Sequence, residues 1–374
     1  MIITFTPNPS LDRTYAAPTL ELGEINRART TRVDAGGKGL NVTRALTAAG
    51  TPSTAVFPAG GPDGDRLVVE LRAHQVPAHP VPVAADTRSN VTLVDDAGTT
   101  TKINAPGDPL PAAGLTALLD ALRQEITAAT AAGAAPVVVG AGSLPTGAGD
   151  DLYARVAALC AGLGATMVLD TSGAPLARAV AAGGLALVKP NDAELAELTG
   201  RELRTVGHVI DAAATLIDAG TRDVLVSLGA HGLLLVRRAP GGAVPTAPGG
   251  VVPTVPVAPD GAVPSTPDRA AGLRAWWAGG PALVPRSTVG AGDCTLAGYL
   301  AATYDDAATH GTAPSGAGAP RDDERTLRAL RHAAAWGRAA VLLPGSAVPT
   351  PADLRLDDVR TVVDPPRDTP LDAL

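Results

Sequence analysis

The sequence contains little cysteine, few aromatic residues and no long run of basic or apolar residues. Its two cysteines, Cys160 and Cys294, cannot build a disulfide framework and do not have metal-ligand spacing. A net charge of −7 without a basic cluster argues against nucleic acid as a partner. Alanine is the commonest apolar residue, and glycine, proline or charged residues interrupt the long apolar stretches, so no transmembrane span is expected.

The N-terminus and the absence of two nucleotide-binding signatures are also informative. Met1–Pro7 has no basic region before an apolar core, so we expect no signal peptide and a cytoplasmic location. There is no Walker A sequence, because Gly39 rather than Ser or Thr follows Lys38, and no GxGxxG follows the first predicted strand. A P-loop ATPase and a Rossmann dehydrogenase therefore lose their main sequence support.

A glycine-rich loop that opens a helix is the strongest functional signal. The run Gly290-Ala291-Gly292-Asp293 precedes apolar residues at helical spacing over 296–301. Backbone N–H groups at such a helix start, together with the helix dipole, bind an anion such as a phosphate. Asp293 then either caps the helix or takes a proton from a hydroxyl that attacks a phosphoryl group.

Strands and helices alternate along most of the chain, which predicts a parallel sheet covered on both faces. The predicted strands are 1–6, 136–140, 166–170, 185–189, 223–229 and 232–236. The predicted helices are 37–49, 113–131, 150–163, 174–182, 192–199, 209–219 and 326–343. Two β-rich runs on either side of Gly98 predict a hairpin, which we assign with part of 12–33 to a separate small sheet.

Three motifs together resemble the ribokinase-like (PfkB) family of sugar kinases. The run 290–293 is similar to the family's anion hole and catalytic base, which would make Gly290, Ala291, Gly292 and Asp293 catalytic. Thr6–Asp12 and Gly36–Val42 resemble the two N-terminal motifs of its phosphosugar-kinase branch. The likeness extends from residue 1 to about 349 and implies an α/β, ribokinase-like fold: a central, mostly parallel sheet sandwiched by helices, with a small β-sheet lid.

The resemblance also divides the chain into a main kinase domain, a lid and a tail. The expected bounds are 1–10, 36–84 and 106–350 for the main α/β domain, 11–35 and 85–105 for the β lid, and 351–374 for the C-terminal tail. Residues 239–268 contain eight prolines and five glycines, and we interpret them as a low-complexity insertion without chemistry. Residues 305–323 look like a second, milder insertion.

The motifs that match the family supply candidate residues for the acceptor sugar. Asp12 and Asn41 can fix hydroxyl groups, whereas Lys38 and Arg88 supply the positive charge that a phosphorylated sugar requires. The complete set implied by the resemblance is Asp12, Arg27, Gly37, Lys38, Asn41, Arg88, Asn90 and Ser143.

Two further segments are candidates for the nucleotide. Asn191 and Glu194 follow a predicted strand and form either an ordinary capping box or, as the resemblance implies, a pair that organises Mg²⁺ through water and ATP phosphates. Lys189 adds a nearby positive charge. Gly292 and the turn Ser227-Leu228-Gly229-Ala230-His231-Gly232 complete the expected nucleotide-binding set, although two glycines also fit an ordinary turn. His231 receives no separate role.

The implied activity is phosphoryl transfer from ATP, with Mg²⁺, to a ketohexose phosphate, and the expected reaction converts fructose 1-phosphate to fructose 1,6-bisphosphate. Tagatose 6-phosphate and fructose 6-phosphate remain alternatives, since Lys38 and Arg88 indicate only that a phosphate is recognised. A catalytically silent sugar-phosphate sensor is the alternative of another class, and Asp293, Asn191 and Glu194 speak against it. Lids in this family commonly pair between subunits, so we expect a homodimer through the lid.

Overall fold

The computed structural model describes residues 1–239, 272–310 and 319–374, which form fourteen strands and nine α-helices. The strands are β1 (Ile2–Phe5), β2 (Ser10–Ala16), β3 (Thr30–Gly36), β4 (Ser53–Ala59), β5 (Ala78–Pro82), β6 (Arg88–Val94), β7 (Thr100–Asn104), β8 (Val137–Ala141), β9 (Thr166–Asp170), β10 (Leu187–Val188), β11 (Asp223–Ser227), β12 (Leu233–Arg238), β13 (Leu273–Gly279) and β14 (Arg360–Val363). The helices are α1 (Lys38–Ala48), α2 (Gly61–Ala73), α3 (Ala112–Ala131), α4 (Leu152–Gly162), α5 (Gly173–Ala182), α6 (Asp192–Thr199), α7 (Val206–Asp218), α8 (Ala291–His310) and α9 (Ala319–Val341). Of the two predicted insertions, residues 240–268 and 311–318 lie outside the described ranges.

The larger of two sheets contains ten strands in the order β14-β13-β12-β11-β10-β9-β8-β1-β4-β5. The seven strands from β11 to β5 run parallel, and β12, β13 and β14 extend the sheet in antiparallel pairs. Strands buried on both faces are mostly apolar, as in β1, where all four residues are buried and three of them are apolar. The predicted mostly parallel sheet is thereby confirmed.

Helices cover both faces of this sheet and bury apolar side chains against it. On α3 these side chains include Leu115, Leu118 and Leu122, which recur at the three- and four-residue spacing of one helix face. On the opposite face of the sheet, Leu296 of α8 and Trp336 of α9 belong to a second core with α1. Each fully buried side chain of this size contributes about 1.5–3 kcal/mol to the stability of the fold.

The smaller sheet has four strands in the order β3-β2-β6-β7 and confirms the separate sheet predicted from the hairpin. Strand β2 pairs antiparallel with β3 and parallel with β6. Leu11 of β2 packs with Phe57 of β4 and Leu67 of α2, so a third apolar cluster anchors the small sheet to the main one.

Several elements differ from the sequence-based expectation. Strands β4, β5, β13 and β14 and helix α2 were not predicted, and β14 lies within the segment that we expected to be a C-terminal tail. It pairs with residues 276–279 of β13 and so forms the edge of the large sheet. Helix α8 continues to His310, into the expected second insertion. No helix in the described part of the chain is both long and apolar enough to cross a membrane.

Candidate active site

The glycine-rich loop forms the start of α8, as the sequence predicts. Gly290 has a φ of +74°, a conformation that favours glycine, and its carbonyl accepts a hydrogen bond from Cys294 N at 2.9 Å. The helix begins at Ala291, which places Asp293 in its first turn. The backbone N–H groups of this turn and the helix dipole therefore create a site for negative charge beside a carboxylate.

Asp293 is buried, with 6% of its surface exposed, and it has one side-chain partner in α1. Asn41 Nδ2 donates a hydrogen bond to Asp293 Oδ2 at 2.9 Å. Burial, followed by the negative charge of Asp170, raises the pKa of Asp293 to about 6, although Lys38, Asn41 and Lys189 act in the opposite direction. A carboxylate with this pKa is ionised at neutral pH and is a stronger base than an exposed aspartate.

A second buried carboxylate, Asp170 at the end of β9, joins two lysines. Lys38 Nζ donates a hydrogen bond to Asp170 Oδ1 at 2.9 Å, and Lys189 Nζ forms an ion pair with Oδ2 at the same distance. Burial alone would raise the pKa of Asp170, but Lys189 and Lys38 outweigh it and keep that pKa below its usual value. A Cβ added at Gly292 would lie 3.3 Å from Lys189 Nζ, so this ammonium group faces the glycine-rich loop.

These groups line a polar cleft of about 430 Å³ between the large sheet and the smaller sheet β3-β2-β6-β7, which we call the lid. The cleft contains predicted residues from the sugar set, the nucleotide set and the catalytic loop. Its lining consists of Ser10, Asp12, Gly37, Lys38, Asn41, Arg88, Asn90, Lys102, Asp170, Lys189, Asn191, Glu194, Ser227, Thr288, Val289, Gly290, Gly292 and Asp293.

Arg88 lies at the lid side of the cleft and is already held by its own chain. Its Nη1 donates to Ala105 O at 2.9 Å and to Asn90 Oδ1 at 3.3 Å, while Nη2 donates to Asn8 O at 3.3 Å. Its Nε is buried and has no hydrogen-bond partner among the described residues. These three hydrogen bonds therefore fix the guanidinium in place at the wall of the cleft.

Two of the predicted sugar residues do not line this cleft. Arg27 is exposed in the loop between β2 and β3. Ser143 lies in the loop after β8, where its Oγ accepts a hydrogen bond from Asn8 Nδ2 at 3.2 Å. In contrast, Gly37 lines the cleft as the N-cap of α1, with a φ of +116°. The structure thus gathers six of the eight residues predicted for the sugar.

A second cleft, of about 510 Å³, continues from the first through Asn191, Ser227, Thr288 and Gly292, which line both. From the predicted turn, Ser227, Gly229, Ala230 and Gly232 line it. The remaining lining is largely apolar and was not predicted; it includes Gly279, Leu283, Pro285, Ala334, Gly337, Arg338 and Val341. Its size and apolar wall suit the base and ribose of a nucleotide.

The other two residues of the turn support it from outside this cleft. Leu228 is buried, with 2% of its surface exposed. The carbonyl of His231 accepts a hydrogen bond from Trp277 Nε1 at 2.9 Å, which ties the turn to β13. Gly232 has a φ of +93°, and a Cβ at this position would overlap Ala278 O. Close packing of the turn on β13 therefore requires the glycine.

Asn191 and Glu194 form a capping box at the start of α6 and also line the polar cleft. Glu194 N donates to Asn191 Oδ1 at 2.7 Å, and Asn191 N donates to Glu194 Oε2 at 2.9 Å. The described residues include no group of three carboxylates, histidines or cysteines that could hold a metal ion. The second oxygen of Glu194 fits Mg²⁺, since this ion commonly takes one protein carboxylate together with phosphates and water.

Sequence reasoning missed four polar residues of the cleft: Ser10, Asp170, Lys102 and Thr288. Asp170 ends a correctly predicted strand at the carboxyl edge of the sheet, and that position was a usable signal. Lys102 lies on the predicted hairpin, but only the pairing of β7 with β6 places it near Arg88. Thr288 precedes the glycine-rich loop and lines both clefts.

Comparison with known proteins assigns the family. A family model described as pfkB family carbohydrate kinase matches residues 8–255. The chain belongs to this family. It is 35% identical over 309 residues to a 1-phosphofructokinase of Xanthomonas campestris pv. campestris, a match that covers 82% of the chain and 85% of the relative.

Another relative and a solved structure are also phosphofructokinases. The chain is 40% identical over 240 residues to an ATP-dependent 6-phosphofructokinase isozyme 2 of Mycobacterium tuberculosis, which covers 63% of the chain and 68% of the relative. The tetrameric inhibited form of phosphofructokinase-2 from Escherichia coli has a similar structure, with a TM-score of 0.71 and 26% identity over 92% of the chain and 95% of that protein. The family and the ribokinase-like fold implied by the sequence motifs are therefore confirmed.

Proposed function

We propose that this PfkB carbohydrate kinase transfers the γ-phosphoryl group of ATP to the 6-hydroxyl of fructose 1-phosphate and produces fructose 1,6-bisphosphate. The observation that carries the proposal is the joining of two clefts at the glycine-rich loop. One cleft has an apolar wall that suits a nucleotide, and the other has cationic side chains, Arg88 and Lys102, that suit a phosphosugar. Asp293 lies where the two substrates would meet.

In the proposed reaction, Asp293 takes the proton of the acceptor hydroxyl as the hydroxyl oxygen forms a bond to the γ-phosphorus. The bond between that phosphorus and the β,γ-bridging oxygen breaks, and ADP leaves. The first turn of α8 and the Lys189 ammonium stabilise the negative charge on the transferring group. Asp293 then releases its proton to solvent after the products leave.

Asn191 and Glu194 are the residues that would hold Mg²⁺, through the free oxygen of Glu194, water and the ATP phosphates. The ion would neutralise part of the charge on the phosphates. The chain's own residues provide the remaining cations, since Lys38 and Lys189 both reach the cleft from the sheet side. Asp170 holds these two lysines in place, one at each of its carboxylate oxygens.

At the sugar end, the lid would bind the remote phosphate and the main domain would bind the hydroxyls. Arg88 and Lys102 belong to lid strands, whereas Asn41 belongs to α1. Binding energy from the phosphate would position the hydroxyl near Asp293, and closure of the lid would exclude water that hydrolyses ATP. We retain the division into main domain and lid as part of this proposal.

Fructose 1-phosphate is preferred as the acceptor because the relative that covers 82% of the chain is a 1-phosphofructokinase. Fructose 6-phosphate is the second candidate, supported by the Mycobacterium tuberculosis relative at 40% identity. Tagatose 6-phosphate has the same charge and places a hydroxyl in a similar position, but it has no such support. A silent sensor is disfavoured, since a sensor needs neither Asp293 nor the Asn191–Glu194 pair.

The experiment is an ADP-release assay with MgATP and each of fructose 1-phosphate, fructose 6-phosphate and tagatose 6-phosphate. We expect kcat/KM for fructose 1-phosphate to exceed the other two by about tenfold or more, a difference of 1.4 kcal/mol in transition-state binding. A preference for fructose 6-phosphate would assign the second activity. Two results would overturn both assignments: ADP release at the same rate without any sugar, and no ADP release with any of the three sugars.

We also propose that the lid pairs two subunits. The loop between β2 and β3 and the strand β6 form an apolar hollow of about 590 Å³ on the lid, whose walls include Leu20, Leu22, Val91 and Leu93. Leu22 in this wall is 92% exposed, and Ile25, three residues further along the loop, is 80% exposed. Large apolar side chains grouped at this exposure are typical of a protein interface.

A further inference from the structure

Arg44 lies on helix α1 and is linked to the candidate base, Asp293, through Asn41 of the same helix. Its Nη1 donates hydrogen bonds to Asn41 Oδ1 at 3.1 Å and to Ala35 O at 3.2 Å. Asn41 Nδ2 in turn donates to Asp293 Oδ2 at 2.9 Å. Arg44, Asn41 and Asp293 therefore form a continuous chain of hydrogen bonds from α1 to the first turn of α8.

The chemistry of these groups permits only one direction along the chain. A guanidinium can only donate hydrogen bonds, and an ionised carboxylate can only accept them. The Asn41 amide has one end of each kind, so its oxygen faces Arg44 and its NH₂ group faces Asp293. If the amide turned over, its NH₂ group would face the guanidinium and its oxygen would face the carboxylate. Both contacts would then be repulsive.

We propose that Arg44 is a positioning residue for phosphoryl transfer, because it keeps the Asn41 NH₂ group on Asp293 throughout the reaction. The proposal rests on the proposed role of Asp293 as the base. An Asn41 amide that could turn freely would offer its oxygen to the O–H of Asp293 after proton transfer and would stabilise the protonated form. Arg44 prevents this reversal, so the protonated base is not trapped.

The neighbouring charges do not provide a substitute for Arg44. The charged groups that face Asp293 are Asp170 of β9, Lys38 of α1 and Lys189 after β10. Those that face Arg44 are Asp34, Asp12 and Arg32 of the lid strands, together with the thiol of Cys294 on α8. Neither set includes a second donor to Asn41 Oδ1. Burial lowers the pKa of Arg44, but an arginine remains charged across the working pH range.

A double-mutant cycle tests the relay. The variants are Arg44→Met, Asn41→Ala, the double variant and Arg44→Lys, with Arg66→Met as the control because Arg66 lies 57% exposed on α2 and pairs with Glu70. We expect Arg44→Met to lower kcat by about tenfold in the wild-type background but by less than twofold when Asn41 is alanine. Arg44→Lys should recover part of the loss, since lysine still donates. Arg66→Met should leave kcat unchanged.

The pH dependence separates positioning from a general structural role. A donor on the ionised carboxylate lowers the pKa of Asp293, so loss of Arg44 should raise it and move the acidic limb of kcat upward by about half to one pH unit. The same pKa can be followed without turnover by NMR of ¹³C-labelled aspartate, with Asp293→Asn used to assign the signal. This readout remains valid if Asp293 proves not to be the base.

Two results would overturn the proposal. One is an equal loss of kcat on Arg44→Met with and without Asn41, measured on variants that melt within a few degrees of wild type. The other is an unchanged Asp293 titration in Arg44→Met. If Arg44→Met does not fold, Arg44→Leu supplies the same two measurements, since leucine also has no donor for Asn41 Oδ1. Unchanged kcat in Asp293→Asn would instead contradict the proposed base and leave the titration as the test of the relay.

Discussion

Asn90 Nδ2 donates a hydrogen bond to Asp12 Oδ1 at 3.0 Å, and the two residues lie opposite each other in the parallel pair β2–β6. Ser10 Oγ donates to the same oxygen at 2.7 Å. A Cβ at Gly36 would overlap the Asp12 carboxylate, so this orientation of the carboxylate requires a glycine at the neighbouring position of β3. The lid therefore presents a carboxylate of fixed orientation to the cleft.

Arg88→Ala should weaken binding of the phosphosugar without a comparable effect on ATP. Loss of a charge-assisted contact to phosphate costs about 1.5–3 kcal/mol, which corresponds to an increase of roughly ten- to a hundredfold in the phosphosugar KM. Steady-state kinetics with each substrate varied in turn measures both constants. Arg66→Ala, on the exposed face of α2, is the matched control. An unchanged phosphosugar KM in a folded variant would remove Arg88 from the site.

Asp293→Asn should lower kcat by roughly 10² to 10⁴ while both KM values change little, because asparagine cannot accept the proton. Asparagine caps a helix about as well as aspartate, so a residue that served only as a cap would leave turnover nearly normal. Single-turnover and steady-state rates on the same preparation distinguish the two roles. Turnover within threefold of wild type would contradict the assignment of the base.

The same substitution should stabilise the protein at neutral pH. The pKa of Asp293 is raised from 3.8 to about 6, so between these values the folded state binds more protons than the unfolded state and stability falls as the pH rises. At pH 7.5 we expect Asp293→Asn to melt at a higher temperature than wild type, and at pH 4 the difference should shrink. Thermal unfolding at the two pH values measures it. A variant less stable than wild type at pH 7.5 would contradict the raised pKa.

Replacement of residues 240–271 with a short Gly/Ser linker should leave kcat within a few-fold of wild type. The described residues on either side are already close, since Arg238 pairs with Leu273 and Ala239 N donates to Gly272 O at 2.7 Å. Changes in loop length alter stability only by about 0.6 kcal/mol per doubling. Melting temperature and kcat of the shortened protein provide the check. Insoluble protein or a hundredfold loss of kcat would show that the segment has a role.

Ile25→Asp should separate the subunits if the lid forms the proposed dimer, because the substitution places a charge in an apolar contact. Light scattering on the wild-type protein should give twice the 37.2 kDa mass of the chain, and the variant should give a single mass at the same concentration. Val69→Asp is the matched control, since Val69 is 51% exposed on α2. A wild-type protein that is monomeric at micromolar concentration would contradict the pairing.

The sequence predicted those parts of the fold whose signals are local. Apolar strands such as β8 and β9 and the helix start at Gly290 are specified within a few residues, and each was found where it was predicted. Strands β13 and β14 were missed because their pairing depends on a distant partner: Arg274 on β13 forms an ion pair with Asp364, 90 residues further along the chain. Strand β14 has only four residues, which do not alternate between polar and apolar, so it gives no such local signal.

The candidate site was predictable to the extent that motifs carry it. Asp293 and Asn41 come from separate motifs, and the structure brings them into a hydrogen bond. Arg27 was added to the site only as a further positive charge for the phosphate, but its loop projects it to the surface. Lys102 was missed for the opposite reason, because its relation to Arg88 exists only in the paired lid strands.

The position of β14 at the edge of the large sheet also has a consequence for synthesis of the chain. Until residues 360–363 leave the ribosome, β13 has a partner only on its β12 side, and the backbone of residues 276–279 is unpaired at the other edge. An open strand edge that carries Trp276 and Trp277 can pair with other chains. The chain should therefore remain prone to aggregation until residues 360–363 have emerged and paired with β13.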